Sequence, residues 1–82
     1  DPGFSLYPHP AAAYVVLDAG TDDLKELSWM ISDVTGRIVA GPEPLTMKHQ
    51  RIDIRTLKNG LYWIRLNDGG SAKRVVMLDV VR

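Results

Sequence analysis

Leu57-Lys58-Asn59-Gly60-Leu61-Tyr62 is the stretch on which the fold turns. A Tyr at the start of a strand, two residues after a Gly and five after an apolar residue, has the spacing of a tyrosine corner. In such a corner the phenol hydroxyl returns to backbone a few residues upstream, and Greek-key sandwiches are where it is found. Leu57 is expected to plug the end of the core, and Gly60 to supply a backbone angle that a side chain disfavours. The competing reading puts Tyr62 at the surface or in an interface.

Outward from this segment the chain keeps an all-β rhythm. Short runs rich in β-branched and aromatic residues recur about every 10 residues, separated by Gly, Asn, Asp and Pro. They are Phe4 to Tyr7, Tyr14 to Ala19, Leu27 to Asp33, Arg37 to Ala40, Lys48 to Ile54, Leu61 to Asn67 and Lys73 to Val80. Seven short strands suit a sandwich. Leu27, Trp29 and Ile31 alternate with mostly polar neighbours and are expected on one inward face, as are Tyr62, Ile64 and Leu66. Leu61, Trp63 and Arg65 then point outward. Thr21 to Leu27 could hold a single helical turn, with Thr21 as cap and Asp22, Asp23 and Glu26 at its positive end. Pro2, Pro8, Pro10, Pro42 and Pro44 fall between runs or at their ends, where a missing N–H breaks no ladder. Gly69 and Gly70 predict a tight hairpin.

Eighty-two residues make one domain, residues 1–82, with Asp1 to Ser5 as the end of a linker. With 45% hydrophobic and 24% charged residues the chain has ordinary globular usage, so a packed core is expected. A domain of this size buries only about 60 to 65% of its unfolded surface, which leaves few residues to line a catalytic cleft. Ten basic and ten acidic residues cancel, removing the field that would draw the chain to nucleic acid. No cysteine is present, so neither a disulfide framework nor a thiolate metal site can form. No apolar stretch approaches the roughly 20 residues of a membrane-spanning helix. The chain starts at Asp1 without the basic and apolar regions of a signal peptide, which suggests a piece of a longer protein.

Reactive residue types do not assemble into a site. Asp33-Val34-Thr35-Gly36-Arg37 reads as a turn, with Gly36 at positive φ and Asp33 bonding the turn backbone. An Asp33–Arg37 recognition pair is the weaker reading, since surface pairs contribute only about 0 to 1 kcal/mol and need no purpose. His9 and His49 are too far apart in sequence for a local zinc motif. Asp22, Asp23 and Glu26 lack the alternation of a calcium loop. Ser5, Ser28, Ser32 and Ser71 lack a nucleophile elbow. No catalytic residue, metal ligand or cofactor site is therefore assigned. Trp63, with Tyr14 and Arg65, could form a surface contact for sugar or protein, which would make the chain an accessory binding module; ordinary cross-strand packing explains the same residues. Lys73 and Arg74 lead a hydrophobic last strand that is expected to pair in the sheet and leave the chain end accessible.

Five elements, taken in order, resemble the type A C-terminal sorting domain of the type IX, or Por, secretion system. They are Leu6-Tyr7-Pro8-His9-Pro10, Ile31 to Arg37 with its Asp-x-x-Gly-Arg, Ile52 to Leu57, Gly60-Leu61-Tyr62, and the strand from Lys73-Arg74 to Arg82. His9 stands where the family usually has Asn. The resemblance implies an immunoglobulin-like or fibronectin-III-like sandwich at the C-terminus of a secreted cargo. It further implies passage through the periplasm and outer membrane, recognition by translocon and shuttle components, and removal by a sortase, leaving the cargo secreted or on the cell surface. By carry-over, the sorting signal is expected at Lys73, Arg74, Val80, Val81 and Arg82. Tyr7, Pro8, Pro10, Asp33, Gly36, Arg37, Leu57, Gly60 and Tyr62 are expected to hold the fold.

Overall fold

Alternation along each strand decides which side chains reach the core, and two sheets result. The computed structural model of the chain describes residues 5–7, 11–21, 23–69 and 71–82, and only the backbone of 71–73. Among the described residues there are seven strands: β1 (Ser5–Tyr7), β2 (Tyr14–Asp18), β3 (Leu27–Asp33), β4 (Ile38–Pro44), β5 (His49–Asp53), β6 (Gly60–Asp68) and β7 (Ser71–Val80). One sheet has the order β1-β2-β5 and the other β4-β3-β6-β7, with antiparallel neighbours throughout. The three-plus-four arrangement is an immunoglobulin-like sandwich.

Leu6, Val15, Leu17 and Ile52 come from the smaller sheet to meet Trp29, Ile31, Ile64, Leu66 and Leu78 from the larger, all buried. Register brings the inner residues side by side: Trp29 pairs with Leu66, Ile31 with Ile64, and Tyr62 with Leu78. Complete burial of a side chain of this kind contributes about 1.5 to 3 kcal/mol, so this layer supplies most of the stability. Outward placement of Leu61 and Trp63 follows from the same alternation, at 46% and 39% exposure.

The sheets are also tied by backbone. Ala11 forms a parallel bridge to Val80: its N–H donates to the Asp79 carbonyl and its own carbonyl accepts from Val81 N–H, both at 2.9 Å. A segment that leaves β1 in one sheet thus finishes against β7 in the other.

The fourth strand differs from expectation. It runs Ile38–Pro44 rather than Arg37 to Ala40, so Pro42 lies inside a strand. β4 is an edge and needs partners on one side only, which is where Pro is tolerated. Trp29 pairs with Glu43 and Ile31 with Ala40, so Gly41 and Pro42 bulge opposite Met30. Gly41 has φ +81 and joins Pro42 by a cis peptide bond.

No helical turn forms in the described part of Thr21 to Leu27. The Thr21 hydroxyl accepts from Asp23 N–H, the Asp23 carboxylate from Lys25 N–H, and the Leu24 carbonyl from Leu27 N–H. These short side-chain bonds compete with helix, and Glu26 closes the turn at φ 63. The box Pro8-His9-Pro10, together with Asp22 and Gly70, lies outside the described residues.

Candidate functional site

One end of the sandwich gathers the corner, the preceding loop and the end of β7. The loop is built from Asp53, whose carboxylate accepts from Arg55 N–H at 2.9 Å and takes the Arg55 guanidinium through both oxygens. A tight turn then closes with Leu57 N–H on the Ile54 carbonyl. Leu57 is buried at the end of the core, Gly60 has φ +152, and the Tyr62 hydroxyl donates to the Lys58 carbonyl at 2.7 Å. That is the return bond of a tyrosine corner. Tyr62→Phe removes the donor and leaves the Lys58 carbonyl with one partner fewer. A loss of about 1 to 2 kcal/mol in chemical denaturation is expected, with the slope unchanged.

The last two residues stay exposed, as expected, while the Arg82 side chain is docked here. The Arg82 guanidinium donates to two backbone carbonyls of the loop, those of Ile54 and Leu57. Asn59 Nδ2 reaches back to the Arg82 carbonyl at 3.4 Å. A planar guanidinium with several donors suits the Leu57 carbonyl and the second lone pair of the Ile54 carbonyl, whose first is taken by Leu57 N–H.

The residues expected to carry a signal therefore separate. Val80 is fully buried and belongs to the core, Val81 is exposed beside it, and Arg82 ties the end to the corner. Arg74 lies half-buried at the other end of β7; Lys73 is described by its backbone alone. Nothing brings Lys73 and Arg74 to Arg82, since most of β7 separates them.

The second turn on this side is held by Asp33. Its carboxylate accepts from the Thr35 hydroxyl and N–H and from Arg37 N–H, while the Arg37 guanidinium stays at 3.8 Å. Gly36 takes φ +93. The Thr35 hydroxyl bond, with the backbone donors and Arg37 behind it, holds the Asp33 carboxyl below its ordinary pKa. Asp53 is lowered to about 2, first by the Arg55 side chain and then by its backbone N–H. Both carboxylates are more acidic in the folded chain than in the unfolded one. Their stabilising contribution is present above about pH 4 and is lost as the pH falls toward about 2. Thermal melts should accordingly be level from pH 7 to about 4 and decline below that, with Asp53→Asn flattening the decline.

The aromatic patch is only partly assembled. Trp63 and Arg65 share the outer face of the larger sheet, but Tyr14 lies in the smaller sheet, under the Arg51 guanidinium at 3.9 Å from its ring centroid. The two sheets' outer faces point opposite ways, so Tyr14 cannot complete a site with Trp63. Tyr7 is exposed in β1 opposite Val16. His49 pairs with Asp18 at 3.2 Å.

Sequence reasoning missed the Arg82 contacts, Asn59, the Ala11 bridge and the Gly41 bulge. Only the last had a local sign, since a Gly-Pro pair commonly marks a turn or break.

No curated protein and no solved structure matches the chain. A family model does match, described as the secretion system C-terminal sorting domain, over residues 5–78. That stretch takes in all seven strands up to Leu78 and both turns described above. Domains of this family are the sorting signal of type IX secretion, which carries proteins through the outer membrane to the cell surface or the medium, and the family is not a catalytic one. With the corner, the Asp33 turn and the two-sheet order inside the matched stretch, the chain belongs to the secretion system C-terminal sorting domain family.

Proposed function

We propose that the chain directs an upstream cargo domain through the outer membrane as a folded unit, and that the docked end of β7 is the part read by the secretion machinery. The observation that carries this is the Arg82 guanidinium on the Ile54 and Leu57 carbonyls. It gives the last residues a fixed shape against the corner, so a receptor meets a surface rather than a loose tail. Binding a pre-ordered element avoids the entropy of ordering it at the moment of recognition.

In this reading Val81 is the exposed contact, Arg82 and Asn59 position it, and Val80 anchors it in the core. Lys73 and Arg74 mark the far end of the same strand. The partners are the outer-membrane translocon and its shuttle, followed by a sortase that cuts between cargo and sorting domain. Tyr7, Leu57, Gly60, Tyr62 and the Asp33–Arg37 turn serve the fold; Pro8 and Pro10 are assigned to it by family likeness alone.

The test is a fusion of the chain to the C-terminus of a folded periplasmic reporter, expressed in a bacterium that has a type IX system. Reporter is expected at the surface or in the medium, shortened by about the mass of the domain where the sortase acts. Reporter retained in the periplasm would overturn the proposal.

A further inference from the structure

An antiparallel sheet with one face on the core ordinarily shows polar side chains on the other. The outer face of the larger sheet carries large apolar side chains among its polar ones. Ile38, Ser32, Trp63 and Met77 form one cross-strand row. Arg65 and Val75 lie in the row on one side of it, and Leu61 and Asp79 in the row on the other. The apolar members Ile38, Leu61, Trp63, Val75 and Met77 are 39% to 50% exposed. A contiguous apolar face on a small soluble domain marks an interaction surface.

Ser32, Arg65 and Asp79 are its polar members. The Arg65 Nε is buried and has no hydrogen-bond partner. That nitrogen is covered by the chain itself, so a second molecule meets the cation at its terminal nitrogens, which suit a carboxylate. Asp79 is a carboxylate on the same face, opposite Leu61. Leu61 and Arg65 stand four residues apart along β6, about 13 Å, which is too far for Arg65 and Asp79 to pair within one molecule.

We propose that this face is the interface of a homodimer, in which two copies pack sheet on sheet about a two-fold axis lying along the Trp63 row. The axis reverses strand direction, so the Arg65 row of each copy meets the Leu61–Asp79 row of the other. Trp63 and Met77 stack on their counterparts at the centre, and two symmetry-related Arg65–Asp79 pairs flank them. A net charge of +0 leaves no long-range repulsion to overcome. Four strands about 4.8 Å apart, on a molecule 33 Å long, offer at most roughly 600 Å² per copy, below the roughly 800 Å² of a standard interface. The dimer therefore belongs to the small, weak and reversible class of interfaces.

Sedimentation equilibrium of the chain from about 10 µM to about 1 mM tests this. A monomer–dimer equilibrium is expected. Arg65→Asp and Asp79→Arg each weaken it about tenfold or more, the double exchange restores it, and Trp63→Ser abolishes it, with circular dichroism reporting the fold of each. Without any substitution, iodide quenching should rise on dilution as Trp63 is uncovered, while buried Trp29 stays dark to the quencher. A chain that is monomeric throughout overturns the proposal, whatever else binds that face. So does a dimer indifferent to Trp63→Ser and to both single charge changes, as an exchange of strands between copies would be.

Discussion

Gly41→Ala is expected to destabilise the chain by about 2 to 4 kcal/mol, lowering the urea midpoint by more than about 1 M. A Cβ at Gly41 would sit 2.7 Å from the Trp29 carbonyl oxygen and 3.1 Å from the Met30 Cα. Both are backbone atoms of β3, a central strand with β6 on its other side, so neither can step aside cheaply. The φ of +81 adds a conformational cost of roughly 1 to 2 kcal/mol for any L side chain. For a domain of this size the total stability is about 4 to 12 kcal/mol, so the loss is a large share of it. Gly36→Ala is the control. Nothing lies within 4 Å of a Cβ there, so only the conformational cost at φ +93 applies. Equal midpoints for the two variants would show that the contact with β3 yields, and the argument from close approach would fail.

Removing Asp79 to Arg82 from the cargo-bearing protein is expected to leave the cargo in the periplasm. The deletion takes away the fully buried Val80, both backbone bonds to Ala11, and the Arg82 donors to the Ile54 and Leu57 carbonyls. Two single variants divide the causes. Arg82→Ala keeps the strand but frees its end, at about 1 to 3 kcal/mol, and should reduce export in part. Val81→Ser changes an exposed side chain and should leave stability within about 0.5 kcal/mol. Loss of export in Val81→Ser at unchanged stability would mean the segment is read directly. Normal export of the deletion would sink the proposal that the end of β7 is the signal. The family match ends at Leu78, so these last residues are argued from geometry.

Much of this architecture is legible in the residues. Leu27 to Asp33 announces a strand because Leu27, Trp29 and Ile31 alternate with mostly polar residues, and its bounds are met by β3. Leu57, Gly60 and Tyr62 announce the corner because a local spacing fixes a local hydrogen bond. β4 was less legible: the propensities of Pro42 and Pro44 argue against strand, and only an edge position overrides them. Tyr14 and Trp63 could not be assigned to separate faces, because which strands share a sheet is a long-range outcome. Arg82, expected in the signal, carries no local sign of its contacts. Its partners are carbonyls, which every residue carries, and they lie 25 and 28 positions away.

The Ala11 bridge has a mechanical consequence. The chain enters the bridge before Ala11 and leaves it after Val81, and the two segments run parallel. Tension applied to the N-terminal side and to the end of β7 therefore pulls the two segments past each other along their length. Both bonds, Ala11 N–H to Asp79 and Val81 N–H to Ala11, bear that load together in shear instead of opening one after the other. Such a joint resists drawing the module out by its ends, while a sideways peel at β4 meets only a single edge ladder.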